Sequence, residues 1–231
     1  MRSFNFELIS KNFYLVFKGL DETILLVLLS LSIGFIISIF FALARLSSIK
    51  TLSNIVYYYV FIIRGTPLIV QIYLFYFGLG SIKFVRESFL WVVLKEPFWC
   101  GVIALILNTV AYTTEIFRGG IQSITKGQIE SCKSLGMKRF TMYYKIILPV
   151  AFRQALPAYG NEMILMVKAT SLVSLTTYME MTGIARNIMS KTFAPVEAFV
   201  AAGCFYLFLN FLIVQLIKFL EWKYNPHLRI K

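Results

Sequence analysis

An all-α integral membrane fold with five transmembrane helices is what the sequence predicts, and three observations predict it. Only 15% of the 231 residues are charged while 58% are hydrophobic. A soluble domain carries about 25% charged residues, so this chain has too little polar surface to cover itself in water. Its apolar residues gather into segments close to the ~20 residues needed to cross a hydrocarbon core of ~30 Å. The basic residues, which give a net charge of +12, sit mostly between those segments. That placement fits membrane topology signals, with lipid as the solvent, and does not fit a nucleic-acid surface.

Taken in order, the first segment, 24–44, holds no charge between Glu22 and Arg45. The second, 51–82, is interrupted by the single charge of Arg64. The third, 98–114, is charge-free, the fourth, 154–178, carries Glu162 and Lys168, and the fifth, 198–217, is charge-free again. A soluble helix would show a polar stripe, and 24–41 offers only Ser30, Ser32 and Ser38. Ahead of these spans, 1–22 mixes aromatic and aliphatic residues with Lys11 and Lys18 and reads as a helix lying on the outer membrane surface, with a frayed N-terminus as the alternative. The first long apolar run is too long for a signal-peptide core, so no cleavable leader is expected.

Five spans place the termini on opposite sides. With the N-terminus outside, thirteen Lys and Arg fall inside: Arg45 and Lys50, seven over 118–153 and four over 218–231. Eight fall outside, and Arg64 and Lys168 remain in the membrane. The bias favours an outer N-terminus and a cytoplasmic C-terminus. Cys100, Cys132 and Cys204 are too scattered for a disulfide framework or a zinc site. With His227 the only histidine, no metal site is expected.

The segment between the third and fourth spans, 119–149, has apolar residues spaced for short helices. Thr125 followed by Gln128 has the pattern of a capping box opening a helix to about Leu135. Gly136 supplies the left-handed residue that commonly closes a helix. Arg139 to Ile147 reads as a second short helix ended by Pro149. Helix, glycine turn, helix and proline make a compact cytoplasmic knob.

The run from Gly127 through Glu130, Ser131, Cys132 and Leu135 to Gly136, followed by Ile146, Leu148 and Pro149, resembles the coupling loop of ABC-importer permeases. That pattern is roughly Glu-Ala-Ala, three residues, glycine, then Ile-x-Leu-Pro; Ser131 and Cys132 stand for the two alanines. Gly19, Thr23, Arg64 to Leu68, Ala111-Tyr112, Glu115, Arg118 to Ile121, Leu156-Pro157 and Lys168 to Leu172 resemble the polar amino-acid permease subfamily. Gly160 to Met166 resembles its histidine, lysine and arginine branch.

The resemblance implies a type I ABC-importer permease fold: one transmembrane domain over 1–231, in a bacterial cytoplasmic (inner) membrane, with a coupling loop at 119–149. Gly127, Glu130, Ser131, Leu135, Gly136, Leu148 and Pro149 would engage an ATP-binding subunit and pass its closure to the helices. The implied partners are ABC ATPase subunits, a second permease chain (identical or related) and an extracytoplasmic substrate-binding protein. No G-x-x-x-x-G-K-[ST] occurs in the chain. It is therefore expected not to be an enzyme and to bind no cofactor, ATP and Mg belonging to the ATPase subunit.

A charge inside a span costs from ~2.5 to over 10 kcal/mol, so Glu162 needs a cation, water or a substrate. At about 100° per residue, Glu162, Met166 and Ala169 share a helix face, while Lys168 lies about 240° from Glu162. Glu162 is expected to bind the cationic side chain of arginine, lysine, ornithine or histidine, with Met166 beside it. The alternative is a structural pair with Arg64 or with a lysine of another helix. Arg64-Gly65-Thr66-Pro67 interrupts the second span, because Pro67 has no amide to donate. Broken helices at membrane depth line cavities and hold substrates. Thr66, the opened backbone and Arg64 are candidates for the substrate's α-amino and carboxylate groups, and Gln71 is another; a plain proline kink is the alternative. Lys168 meets a substrate carboxylate or pairs with another helix, and Ser171 is a candidate in the same stretch. Glu115 and Arg118 pair with each other or belong to an inner gate.

The function that follows is the membrane subunit of an ATP-driven amino-acid importer, for basic amino acids in particular. A permease for polar or neutral amino acids and an ion-coupled secondary transporter are the alternatives.

Overall fold

The computed structural model describes residues 6–224, and all regular structure within them is helical. α1 (Phe6–Phe17) precedes two long helices, α2 (Leu20–Arg45) and α3 (Lys50–Gly65). After α3 the chain turns into α4 (Leu68–Tyr73), which runs through a π turn, Leu74–Gly78, into α5 (Leu79–Ser81). Two short helices, α6 (Lys83–Arg86) and α7 (Trp91–Leu94), lead into α8 (Pro97–Gln122). Then come α9 (Lys126–Ser134), α10 (Arg139–Met142), a π turn Tyr143–Ile147 and α11 (Leu148–Ala169). A 3-10 segment, Thr170–Thr176, connects to α12 (Met181–Thr192) and α13 (Pro195–Tyr224).

Among the described residues, three helices are long and apolar enough to cross a membrane: α2, α8 and α13. α3 and Leu68–Ser81 qualify as a pair bent by 102°, so the count is three, or four if the pair is one span. The second predicted segment is therefore two arms. The fourth, 154–178, is helical only to Ala169 and then tightens into the 3-10 segment. α11 has 22 residues, about 33 Å at 1.5 Å per residue, but Arg153, Glu162 and Lys168 leave it less apolar than the others.

α8 is the centre of the bundle. Of its most apolar stretch 61% is buried, against 17% in α13, so α8 is enclosed by protein while α13 keeps most of its surface outward. Leu26 and Leu31 of α2, Ile72 of α4, Val102 and Leu105 of α8, and Met166 of α11 close the main core. The Tyr59 hydroxyl donates to the Leu107 carbonyl at 2.6 Å, tying α3 to α8.

One expectation is extended and one is corrected. The N-terminal segment forms a helix, but α1 is docked on protein as well as offering an outer face. Val16 is fully buried with Met181, Ala185 and Ala198, and the Phe13 ring centroid lies 4.7 Å from that of Phe205. Residues 1–5 of that segment, and Arg229 and Lys231 of the charge count, lie outside the described residues. Pro149, in turn, does not end a helix. Arg139 to Ala169 is continuous, with Pro149 in the first turn of α11. Proline's fixed φ is helical, and the wide π turn just before it accommodates the missing amide.

Candidate functional site

The cavity forms where the chain is forced to leave the helix. Thr66, ahead of Pro67, is extended at φ −114°, ψ 141°, the conformation that a following proline imposes. Pro67 is extended too, at φ −62°, ψ 134°. The carbonyls freed at the end of α3 find side-chain donors. Thr66 Oγ1 donates to the Ile62 carbonyl at 2.9 Å, and Gln71 Nε2 sits 2.8 Å from the Ile63 carbonyl, 3.1 Å from the Thr66 carbonyl and 2.8 Å from Thr66 Oγ1. The predicted break is thus a built corner whose freed carbonyls meet side-chain donors, while Gln71 Oε1 is buried without a partner among the described residues.

That corner, α8 and α11 enclose a cavity of about 400 Å³, large enough for an amino acid. Arg64 and Thr66 line it from the break, Asn108 and Tyr112 from α8, and Glu162 and Met166 from α11. The Arg64 guanidinium lies 5.0 Å from the centroid of the Tyr112 ring, within cation–π reach. Glu162 is 5% exposed, and its Oε1 accepts from Thr109 Oγ1 at 3.1 Å. Arg64 lines the same cavity as Glu162, yet among the described residues Glu162 forms no ion pair within 4.0 Å. Glu162 thus stands buried on the cavity wall with Thr109 as its hydrogen-bond donor.

Arg64, Thr66, Glu162 and Met166 are therefore brought together as the sequence predicts. Gln71, Lys168 and Ser171 are not among the residues lining the cavity. Gln71 is buried behind it, holding the break. Lys168 is exposed on another face, as its 240° offset requires, and the Ser171 hydroxyl donates to the Lys168 carbonyl at 2.6 Å. Sequence reasoning missed Asn108. The signal was a polar residue one helical turn before Tyr112 in an otherwise apolar span.

A second polar cluster lies farther along α8. Glu115 accepts from Arg118 Nε at 2.8 Å and from the same guanidinium's Nη2 at 2.6 Å. Arg45, the last residue of α2, approaches Glu115 at 3.5 Å. The i, i+3 pair is formed, and the extra arginine ties α2 to α8.

The knob is built largely as the sequence predicts. Thr125 and Gln128 form the reciprocal capping box of α9. Gly136 adopts φ +68°, which a residue with a Cβ adopts only under strain. There the Gly136 amide donates to the Lys133 carbonyl at 2.9 Å and that of Met137 to Cys132 at 3.2 Å, the paired bonds of a Schellman close. Ile124, Cys132, Met142 and Ile147 bury themselves underneath, while Gly127, Glu130, Ser131, Leu135 and Gly136 stay exposed. Leu148 and Pro149 lie outside the knob, in the first turn of α11.

Comparison with known proteins agrees with this architecture. Residues 23–225 match the family described as binding-protein-dependent transport system inner membrane component. The nopaline transport system permease protein NocM of Agrobacterium fabrum is 46% identical over 226 residues, covering 97% of this chain and 94% of that one. The histidine/lysine/arginine/ornithine transport system permease protein HisM of Escherichia coli is 40% identical over 214 residues, covering 92% and 90%. Among solved structures, that of an amino acid ABC transporter with histidines superimposes with a TM-score of 0.85 at 33% identity, over 96% of this chain and 100% of that one. The knob, the broken second segment and the all-helical bundle are thus parts of a transport subunit, which works with a separate ATPase and a binding protein and is not itself catalytic. The chain belongs to the binding-protein-dependent transport system inner membrane components, as the permease subunit of an amino-acid ABC importer.

Proposed function

We propose that this permease carries basic amino acids through the cavity at the helix break, with Glu162 as the group that recognises the cationic side chain. The observation that carries the reading is the Glu162 carboxylate itself, 5% exposed, on the wall of an amino-acid-sized cavity with one neutral hydrogen-bond donor. Thr66 and the extended backbone of Thr66 and Pro67 meet the α-amino and carboxylate groups, Arg64 adds a positive charge for the carboxylate, and Met166 packs against the substrate's methylenes. A relative named for histidine, lysine, arginine and ornithine supports this substrate class. One named for nopaline makes that compound the second candidate.

In this reading α11 completes a five-helix span set with α2, the bent α3 pair, α8 and α13. The N-terminus is outside and the C-terminus cytoplasmic, as the basic residues favour. Gly127, Glu130, Ser131, Leu135 and Gly136 present the knob to the ATPase, and Leu148 and Pro149 link its motion to α11. A second permease chain, identical or related, completes the path. ATP and Mg act on the ATPase subunit.

The test is ATP-driven uptake by the reconstituted importer of arginine and of glutamine. Glu162→Gln is expected to lose arginine uptake selectively; an unchanged preference for the cationic substrate rejects the reading.

A further inference from the structure

We infer that Thr109 is a positioning residue for substrate recognition, and that Gly34 sets it. The inference rests on the reading of Glu162 as the cation-binding group and deepens it. Thr109 is 1% exposed and does not line the cavity; it stands behind Glu162, where no substrate reaches it. Its hydroxyl donates to Glu162 Oε1 at 3.1 Å, across from α8 to α11. That bond fixes one carboxylate oxygen and leaves the other to the cavity.

What fixes Thr109 comes from a third helix. Gly34 lies in the buried face of α2. A Cβ built there would stand 1.9 Å from Cγ2 of Thr109, 3.4 Å from its Cβ and 3.8 Å from the Ile106 carbonyl oxygen. The Thr109 methyl therefore occupies the volume that any side chain at position 34 would need. A helical threonine divides between two χ1 rotamers, because its hydroxyl can also turn back to the carbonyl one turn earlier. The void at Gly34 accepts the methyl in one of them, the one that aims Oγ1 at Glu162. Glycine in a helix interior weakens the helix, and here it makes room for this contact. Gly34, Thr109 and Glu162 form a line through α2, α8 and α11 that ends at the cavity wall.

The inference specifies which substitutions compensate each other. Thr109→Val keeps the shape and the methyl in the Gly34 void but removes the hydroxyl. Gly34→Ala expels the methyl and turns the hydroxyl away. Thr109→Ser keeps the hydroxyl and frees the volume, so in Gly34→Ala/Thr109→Ser the new methyl replaces the lost one.

The experiment is a ligand titration of the purified permease–ATPase complex, without binding protein, following its thermal shift with L-arginine and with L-glutamine. Thr109→Val and Gly34→Ala are each expected to weaken arginine about tenfold, the scale of a lost hydrogen bond to a charged group, with glutamine unmoved. The double variant is expected to recover arginine binding. If Gly34→Ala fails to assemble, Thr109→Val, which adds no bulk, decides. Equal weakening of both amino acids by Thr109→Val overturns the positioning role in favour of a structural one. So does full arginine affinity in Thr109→Val beside a loss in Glu162→Gln, and that result leaves the reading of Glu162 standing. Full arginine affinity in Glu162→Gln removes the reading itself, and the inference with it.

Discussion

The side-chain amide of Gln71 lies 2.8 Å from the Ile63 carbonyl and 2.8 Å from Thr66 Oγ1, so one buried residue joins the two arms of a helix pair bent by 102°. A proline alone would leave the last carbonyls of α3 without partners at membrane depth, where each costs several kcal/mol. Gln71 supplies the donor that the backbone lost and converts a kink into a fixed corner. The walls of the cavity inherit that rigidity.

Replacing Gln71 with leucine keeps the bulk and removes the donor. The expected cost is about 1–3 kcal/mol for the stranded acceptors, read as a melting temperature several degrees lower for the detergent-solubilised complex. An unchanged melting temperature would mean that water or another side chain holds the corner.

The knob's two caps are separable from the substrate site. Thr125→Ala removes the capping box at about 1 kcal/mol, and Gly136→Ala imposes a Cβ on the left-handed turn at roughly 1–2 kcal/mol. Both positions are exposed, so the bundle should survive. Substrate-stimulated ATP hydrolysis by the complete importer should fall in each variant, while arginine still binds the permease–ATPase complex normally. Normal stimulation in Gly136→Ala would show that the shape of the turn does not matter to coupling.

Glu180 gives a pH dependence of known sign. It is completely buried at the start of α12, where Oε1 accepts from the Gly183 amide at 2.9 Å and Oε2 from the Tyr206 hydroxyl at 2.6 Å. Thr23 of α2 also reaches it, at 3.4 Å. Burial pushes its carboxyl up from the ordinary carboxylate range, and the hydrogen bonds only partly oppose that. The folded chain thus holds this proton more tightly than the unfolded chain. The linked stability is complete below the unfolded value and is lost as pH rises through the folded one. Glu180→Gln, neutral throughout, should flatten that decline in a series of melting temperatures against pH. An identical slope in both proteins would assign the dependence to other groups.

Features held by neighbours along the chain were legible in the sequence. The capping box at Thr125, the left-handed Gly136 and the break at Pro67 each follow from a few adjacent residues, and each stands as expected. Pro149 did not follow, because the π turn before it depends on how α10 runs into α11. The apolar face of α1 could be read, but its protein contacts with α12 and α13 could not, since those lie more than 160 positions away. At the site, helical geometry put Glu162 and Met166 on one face and turned Lys168 from it. Asn108 needed α8 to be placed against the break. Thr109 and Gly34 needed a crossing of two helices whose closest point no local pattern marks.

The most direct test of the account is equilibrium binding of labelled L-arginine to the purified permease–ATPase complex, wild type against Glu162→Gln, in the absence of the binding protein. The account predicts saturable arginine binding that Glu162→Gln weakens tenfold or more, about 1.4 kcal/mol at the least, with glutamine binding unaffected. Equal arginine affinity in the two proteins would contradict it.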